Sequence, residues 1–203
     1  ISTIKKIKLL IVIIFSFMAT NVKLCTPNGN CHNRRMNKLL IVPLLLLSCL
    51  KPAQTVNKEE IIEAMANSIA MKYPSIQHIS PIEFKKIKSD HTLLIDVRTK
   101  KERKVSMLDG AISTEEFKNL QKASLLKKHL VFYCTVGERS SRYAQRVLKN
   151  GYKGQVSNLR GSILAWVHEG LPLVNSQKTP TKKLHVYSEP WSFAPDGYEA
   201  VWK

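Results

Sequence analysis

The sequence of 203 residues has few cysteines, no long hydrophobic run and no internal repeat. Four cysteines are too few for the disulfide framework of a small secreted domain. The two apolar runs, residues 9–19 and 39–47, are each about half as long as the ~20 residues that a membrane-spanning helix needs. Hydrophobic residues nevertheless make up 44% of the chain, which is enough for a packed core and excludes a wholly disordered protein.

Acidic residues are also missing from the first quarter of the chain, and the first one is Glu59. Residues 1–50 contain seven of the 32 Lys and Arg residues, so seven units of the net charge of +17 belong to that quarter and ten to the remainder. A charge of this size can indicate nucleic-acid binding. In the remainder, however, no basic helix is interleaved with aromatic residues. We therefore expect a solvated basic face and no nucleic-acid partner.

Both apolar runs follow clustered cations, as the hydrophobic segment of a secretory signal does. The second run ends in Leu46-Leu47-Ser48-Cys49, which resembles the lipobox of bacterial lipoproteins. This resemblance implies that Cys49 carries a diacylglycerol and becomes the mature N-terminus, so that a lipid anchor holds the protein at a membrane. The alternative is a buried cysteine at the end of a core helix.

Two signals in tandem make little sense, and Met36 begins a compact signal peptide by itself. We therefore interpret residues 1–35 as an extension upstream of the true start, the alternative being a genuine long leader. Residues 36–48 are then the signal peptide, and residues 49–75 comprise the lipidated cysteine, a polar tether and a helix. The expected location is extracytoplasmic and membrane-anchored, and Leu50, in place of an aspartate, favours the outer membrane if the cell has two.

The region after the tether alternates helices with short apolar strands. Branched apolar residues predict buried strands at residues 92–97, 130–133 and 155–159. Helical spacing of apolar residues and capping signals predict the helices between them. This alternation indicates an α/β fold, a parallel sheet with helices on both faces. The predicted helices cover residues 58–73, 81–87, 115–120, 140–150 and 162–169.

The second predicted strand delivers Cys134 to its carboxyl end, where a tight loop and then a helix follow. Ligands bind at this edge of open α/β sheets. Backbone N–H groups of the loop and the helix N-terminus favour negative charge there, so they should lower the pKa of the Cys134 thiol and make it a better nucleophile. Gly137 permits a tight turn, and Arg139 adds a positive charge. The alternative is a buried structural cysteine.

These residues resemble the rhodanese family of sulfurtransferases. The central match is Cys134-x-x-Gly137-x-Arg139-Ser140 after an apolar strand, and the resemblance covers residues 76–174. It leaves residues 175–203 as a polar linker, 175–183, and an aromatic tail. The other matching segments, in order, are Ile95-Asp96-Val97-Arg98, Asp109-Gly110-Ala111-Ile112, Leu159-Arg160-Gly161-Ser162 and Ala165-Trp166 with Gly170-Leu171-Pro172.

The resemblance implies a rhodanese-like parallel sheet flanked by helices, and a sulfurtransferase that needs no cofactor and no metal. Cys134 would be the catalytic residue, taking the sulfane sulfur of thiosulfate or a persulfide donor and passing it to a thiol acceptor. Asp96 and Arg98 match the family's Asp-x-Arg signature and are interpreted as supporting residues, with direct substrate contact as the alternative. The substrate-binding loop would comprise Thr135, Val136, Gly137, Glu138, Arg139 and Ser140.

Two details of this loop refine the expectation. The spacing Cys-x4-Arg from Cys134 to Arg139 is similar to the sulfur-transferring loop, whereas related phosphatases and arsenate reductases resemble Cys-x5-Arg, so a phosphatase is disfavoured. Glu138 places an acid in the loop, which should partly offset Arg139 and weaken the binding of the thiosulfate dianion. Ser162 also departs from the family pattern, since it replaces the second glycine of a Gly-Gly pair.

A second hypothesis is a binding module in which the same fold holds a persulfide or a partner protein without turnover. The aromatic tail, within residues 175–203, would then be the docking surface. The presence of Cys134 favours the enzyme. Trp166 is interpreted as a core residue and not as a platform for substrate.

Overall fold

The computed structural model describes residues 24–25, 31–32, 57–120, 125 and 127–202. The chain divides into two compact units, residues 1–54 and 55–203. In the first unit, strand Leu24–Cys25 pairs antiparallel with strand Cys31–His32. The predicted signal peptide, the lipidation site Cys49 and the tether lie outside the described residues. Within the described part of the chain, every helix is too short or too polar to cross a membrane.

The second unit is built on a parallel sheet of five strands. The strands are β1 (Gln77–Ile79), β2 (Thr92–Asp96), β3 (Ile112–Ser113), β4 (His129–Tyr133) and β5 (Val156–Leu159). Their order in the sheet is β1-β5-β4-β2-β3, with every neighbouring pair parallel. The central strand β4 is buried from Leu130 to Tyr133, as expected for a strand covered on both faces. The predicted α/β fold is confirmed.

Six helices among the described residues connect and cover this sheet, and side-chain caps begin most of them. They are α1 (Lys58–Lys72), α2 (Pro81–Ile87), α3 (Lys100–Val105), α4 (Thr114–Asn119), α5 (Glu138–Lys149) and α6 (Ser162–His168). Capping boxes begin α2 at Ser80, α3 at Thr99 and α4 at Ser113, and each joins the hydroxyl to the glutamate three residues later. Helix α1 buries Ile62, Ala66 and Ile69 in the same core.

The sequence analysis did not predict three of these elements, namely strands β1 and β3 and helix α3. Strands β1 and β3 have three and two residues, too few for an alternating pattern to be visible. Helix α3 reads Lys-Lys-Glu-Arg-Lys-Val, which contains no apolar periodicity. Its capping box, Thr99 with Glu102, is a local pattern that sequence reasoning overlooked, whereas the burial of Glu102 becomes visible only in the tertiary structure.

The C-terminal segment folds onto the same core. In the stretch predicted as a linker, β7 (Pro180–Thr181) pairs antiparallel with β6 (Leu173–Val174). Strand β8 (Lys183–His185) then pairs parallel with β9 (Glu199–Val201), and a 3-10 turn, Glu189–Trp191, lies between them. The buried apolar residues of this segment, Leu184, Val186 and Ala194, belong to the main hydrophobic core.

Candidate active site

Cys134 lies at the carboxyl end of β4, and only 2% of its surface is exposed. The loop behind it turns at Gly137, whose φ of +120° is strained for any residue with a side chain. This turn aims the Gly137 N–H at the Cys134 Sγ over 3.2 Å. A Cβ at this position would also lie 3.1 Å from Asn158 Nδ2. The glycine is therefore required both for the backbone turn and for the close approach.

Helix α5 begins at Glu138, directly after the loop, two residues earlier than predicted. Its first turn brings Ser140 under the nucleophile, where the hydroxyl lies 3.5 Å from Cys134 Sγ. The same hydroxyl also lies 2.6 Å from Asn158 Oδ1 on β5 and 3.1 Å from the Gly137 carbonyl oxygen. A serine hydroxyl has one proton, so these three acceptors compete for it. Ser140 can thus donate to the sulfur when the sulfur becomes negative.

The pKa of the Cys134 thiol lies below its ordinary value. Burial opposes ionisation, but donation from the Ser140 hydroxyl, the charge of Arg139 and the backbone N–H groups of Ser140 and Gly137 outweigh it. The loop therefore favours the thiolate, which is the nucleophilic form of cysteine.

Arg139 forms a bidentate ion pair with Glu102 of α3. Its Nη1 donates to Glu102 Oε2 over 2.9 Å and its Nη2 to Glu102 Oε1 over 2.6 Å, and Nη2 also lies 3.0 Å from Thr135 Oγ1. Burial alone would raise the pKa of Glu102, yet the contacts with Arg139 and Thr99 lower it to about 2. The charge of Arg139 is thus offset by a buried carboxylate, and no sequence pattern marks Glu102 for this role.

Glu138 does not contact Arg139, contrary to the expectation from its place in the loop. Its carboxylate lies 2.8 Å from Lys72 Nζ, 2.8 Å from the Tyr73 hydroxyl and 3.2 Å from Arg142 Nη2. Burial raises the pKa of Glu138, but these contacts outweigh it and hold the pKa below the ordinary value. The acid that neutralises Arg139 is therefore Glu102, and Glu138 instead ties the start of α5 to α1.

Asp96 and Arg98 form a completely buried ion pair behind the loop. Arg98 Nη2 lies 2.7 Å from Asp96 Oδ2 and donates to the Ser106 carbonyl oxygen over 2.6 Å. The guanidinium also stacks over the Tyr133 ring at 5.5 Å. These contacts join the end of β2 to the end of α3 and to the strand that carries Cys134. They support the structural interpretation of the Asp-x-Arg pair.

A pocket of about 170 Å³ opens at Cys134. Of the predicted loop residues, Thr135, Val136, Glu138 and Arg139 line it, whereas Ser140 is fully buried and acts on the sulfur from beneath. Sequence reasoning missed two lining residues, Tyr187 and Trp191 of the C-terminal segment. Their aromatic character was visible in the sequence, but nothing local to the segment indicates that it folds back over the nucleophile.

Asn158 is a further site residue that the sequence did not reveal. Its Oδ1 accepts from Ser140, and its Nδ2 lies 3.2 Å from His78 Nδ1, while His78 Nε2 lies 3.4 Å from the Tyr73 carbonyl oxygen. These contacts fit a neutral His78 that donates through Nε2 and accepts at Nδ1. Burial lowers the pKa of His78, which agrees with the neutral form. The buried network thus fixes the orientation of the Asn158 amide beneath the loop.

No group of three or more His, Cys, Asp or Glu side chains within the described residues is placed to hold a metal ion. The described residues at the pocket offer a thiol with a lowered pKa, backbone N–H donors and a guanidinium that is paired with a carboxylate.

Comparison with known proteins identifies the family. A model of the rhodanese-like domain matches residues 80–169. A protein named sulfurtransferase from Allochromatium vinosum is 35% identical over 88 residues, which cover 42% of this chain and 81% of that protein. A protein named tRNA uridine(34) hydroxylase from Staphylococcus aureus is 30% identical over 118 residues, covering 54% of this chain. This chain spans only 37% of that hydroxylase.

The solved structure of a thiosulfate sulfurtransferase from Pseudomonas aeruginosa matches with 17% identity and a TM-score of 0.45, covering 58% of this chain and 23% of that one. The hydroxylase relative carries a different activity in its name, so membership alone does not fix the reaction. With the sulfurtransferase relative covered over most of its length and the family model matching through the Cys134 loop, the chain belongs to the rhodanese-like family.

Proposed function

We propose that the protein transfers sulfane sulfur through a persulfide on Cys134. The observation that carries this proposal is a thiol with a lowered pKa at the floor of an open pocket, 3.2 Å from a backbone N–H donor. A sulfurtransferase is among the relatives, covered over 81% of its length, which supports the same chemistry. Thiosulfate or a persulfide is the donor class, and a thiol or cyanide is the acceptor class.

In the first step the Cys134 thiolate attacks the outer sulfur of the donor. A new S–S bond forms, the donor's S–S bond breaks, and the leaving group departs with the electron pair; from thiosulfate, that group is sulfite. The product is a Cys134 persulfide whose outer sulfur carries the negative charge. Backbone N–H groups of the loop and the N-terminal end of α5 stabilise that charge without reorganising.

In the second step an acceptor nucleophile attacks the outer sulfur and regenerates the Cys134 thiolate. Ser140 serves both steps, because its hydroxyl can turn from Asn158 towards the sulfur of Cys134. There it can donate a hydrogen bond to the thiolate or to the persulfide anion. The two steps balance in atoms and electrons, so that no oxidant or reductant is needed.

Mass spectrometry of the intact protein tests the proposal directly. Treatment with thiosulfate or with a low-molecular-weight persulfide should add about 32 Da, one sulfur atom, to the wild type. The Cys134→Ser variant should gain nothing, and addition of cyanide or a thiol should return the wild type to its original mass. A wild type without the adduct, or a variant that keeps it, would contradict the proposal.

The second candidate is a persulfide carrier or protein-binding module with little turnover. Its support is that Cys134 is only 2% exposed, so that a protein acceptor has to contact the pocket walls to reach the sulfur, as it would on a binding module. Rates of discharge by small thiols separate the two: repeated turnover supports the enzyme, and one slow discharge supports the carrier.

The location of the protein rests on its sequence, and we propose a lipid anchor at Cys49 and an extracytoplasmic position. The support is the cationic start, short apolar run and Leu-Ser-Cys ending of residues 36–49. Phase separation in detergent should place the full chain in the detergent-rich phase and Cys49→Ala in the aqueous phase. A wild type found in the aqueous phase would contradict the anchor.

A further inference from the structure

The C-terminal segment supplies one wall of the pocket over Cys134. The rhodanese-like match ends at residue 169, whereas the pocket is also lined by Tyr187 and Trp191. The two rings meet edge to face, with their centroids 6.3 Å apart and an angle of 78° between their planes. They therefore form a continuous aromatic surface that the matched domain does not contain.

This wall is held in place on both sides. Val186, immediately before Tyr187, is fully buried, and Ala194 is buried after Trp191. The backbone near Ala194 is pinned by Lys58 Nζ, which donates to the Ala194 carbonyl oxygen over 2.8 Å, and by His168 Nε2, 2.7 Å from the Phe193 carbonyl oxygen. The aromatic pair is thus positioned before any ligand arrives, which lowers the entropic cost of binding one.

The rest of the pocket has little free positive charge. Arg139 is paired with Glu102, and the nearby cations Lys72 and Arg142 are paired with Glu138. The exposed lining is mostly apolar. A small dianion that enters this pocket loses water, and Arg139, the cation among the described lining residues, is already paired with Glu102. An apolar group gains contact with the two rings.

From these features we propose that Tyr187 and Trp191 form a subsite for the apolar substituent of a small organic sulfur donor. The inference rests on the proposed sulfur transfer and specifies its substrate class. The pocket of about 170 Å³ is smaller than the roughly 300–1,000 Å³ of sites for drug-sized ligands, so the substituent is small, of the size of one ring.

Organic thiosulfonates, R–SO2–S⁻, are donors of this class and serve as probes. The Cys134 thiolate attacks the outer sulfur, the S–S bond of the thiosulfonate breaks, and the electron pair leaves with the sulfinate R–SO2⁻. Cys134 retains the outer sulfur as a persulfide anion. Both reactants, the thiolate and the thiosulfonate, carry one negative charge, and so do both products, the persulfide and the sulfinate. The step is therefore balanced and needs no other reagent.

The experiment compares three donors that form the same persulfide: benzenethiosulfonate, methanethiosulfonate and thiosulfate. We expect wild-type kcat/KM to be highest for benzenethiosulfonate. In the variant that combines Tyr187→Ala with Trp191→Ala, the preference for the phenyl over the methyl donor should fall about tenfold, since one aromatic contact is worth roughly two- to tenfold. Equal use of all three donors by the wild type, or a preference that survives in the variant, would overturn the subsite.

Control variants distinguish a specific loss of the aromatic subsite from a general loss of folding or activity. Trp202→Ala removes a tryptophan of the same segment that does not line the pocket, and it should keep the wild-type preference. Tyr187→Phe with Trp191→Phe should keep most of the preference, because the rings remain. Tyr187 is 68% exposed, so Tyr187→Ala alone should fold normally and still lower the preference if the double variant proves unstable.

A binding measurement keeps the subsite testable without sulfur transfer. Benzenesulfinate, which cannot donate sulfur, should slow the alkylation of Cys134 by iodoacetamide in the wild type and much less in the double variant, while methanesulfinate should protect neither. If no donor forms the adduct but this protection is found, the proposed function fails and the subsite stands. If adducts form but protection is absent or unchanged by the substitutions, the subsite fails and the proposed function stands.

Discussion

Arg139 and Glu102 are joined at the rim of the pocket by two hydrogen bonds of 2.9 and 2.6 Å, so that the arginine of the Cys-x4-Arg loop does not face the substrate as a free cation. The carboxylate comes from α3, whose N-cap residue Thr99 lies three residues before Glu102 and forms a capping box with it. The net charge at the arginine of the loop therefore cannot be read from the loop sequence, because the carboxylate that offsets it comes from elsewhere in the chain.

The first prediction concerns this pair. Glu102→Gln keeps a side-chain oxygen for the capping box but removes the negative charge, so Arg139 should act more strongly on Cys134. We expect the pKa of the thiol to fall further and the KM for thiosulfate to decrease, as measured by the pH dependence of alkylation and by steady-state kinetics. Glu115→Gln is the control, since Glu115 pairs with Arg103 on the surface. An unchanged alkylation profile in Glu102→Gln would show that the pairing with Glu102 does not limit the effect of Arg139 on the sulfur.

Ser140 allows a separate test of how the thiolate is stabilised. Its hydroxyl makes the largest contribution that lowers the pKa of Cys134, ahead of Arg139. Ser140→Ala should therefore move the inflection of the alkylation rate to higher pH and slow persulfide formation near neutrality. Ser141→Ala is the matched control, because Ser141 donates to the Gly137 carbonyl oxygen and not to the sulfur. The same shift in both variants would assign the effect to the loop backbone instead.

Gly137→Ala tests the turn. The alanine must adopt a φ of +120° and place its Cβ against Asn158, so we expect a loss of about 1–3 kcal/mol in the free energy of unfolding and a loop that no longer aims its N–H at the sulfur. Gly151→Ala has a φ of +92° but meets nothing within 4 Å, and it should cost less and leave sulfur transfer intact. Denaturant unfolding and persulfide formation measure the two effects. Equal losses in both variants would exclude a special role for the close approach.

The stability of the fold in acid should depend on Glu102. Its folded-state pKa of about 2 lies below the ordinary value, so its stabilising contribution is complete above the unfolded pKa of about 4.3 and is lost as the pH falls towards 2. The contribution is on the order of 3 kcal/mol at most. The unfolding free energy should fall less between about pH 5 and pH 2.5 in Glu102→Gln than in the wild type. Parallel curves would contradict the shifted pKa.

The sequence was sufficient for the parts of this protein that are encoded by neighbouring residues. The run Leu130–Tyr133 indicated a buried strand because all its side chains are apolar, and the residues after it indicated the nucleophile because cysteine, glycine and arginine stand at fixed steps. Capping boxes at Ser80 and Ser113 were readable for the same reason, since the hydroxyl and the glutamate are three residues apart.

The electrostatics of the site were not readable in this way. The sequence predicts that Glu138, the neighbour of Arg139 in the chain, partly offsets its charge, whereas the structure pairs Arg139 with Glu102, 37 residues away. Adjacent side chains at the start of a helix point in different directions, and Glu138 therefore reaches Lys72 and Tyr73 instead. Sequence proximity favoured the wrong acid because the choice depends on the packing of α3 against the loop.

What the sequence by itself determined is strands β2, β4 and β5, the helices other than α3 and the chemical identity of Cys134, since strand burial, caps and loop spacing are local properties. Only the tertiary structure decided what surrounds that cysteine: Glu102, Asn158, Tyr187 and Trp191 come from four separate elements or turns. Their positions follow from core burial at residues such as Leu184 and Val186, which fixes distant segments over the loop. The nucleophile can be recognised from neighbouring residues in the sequence. The charges around it and the aromatic wall of its pocket arise from contacts between residues far apart in the chain.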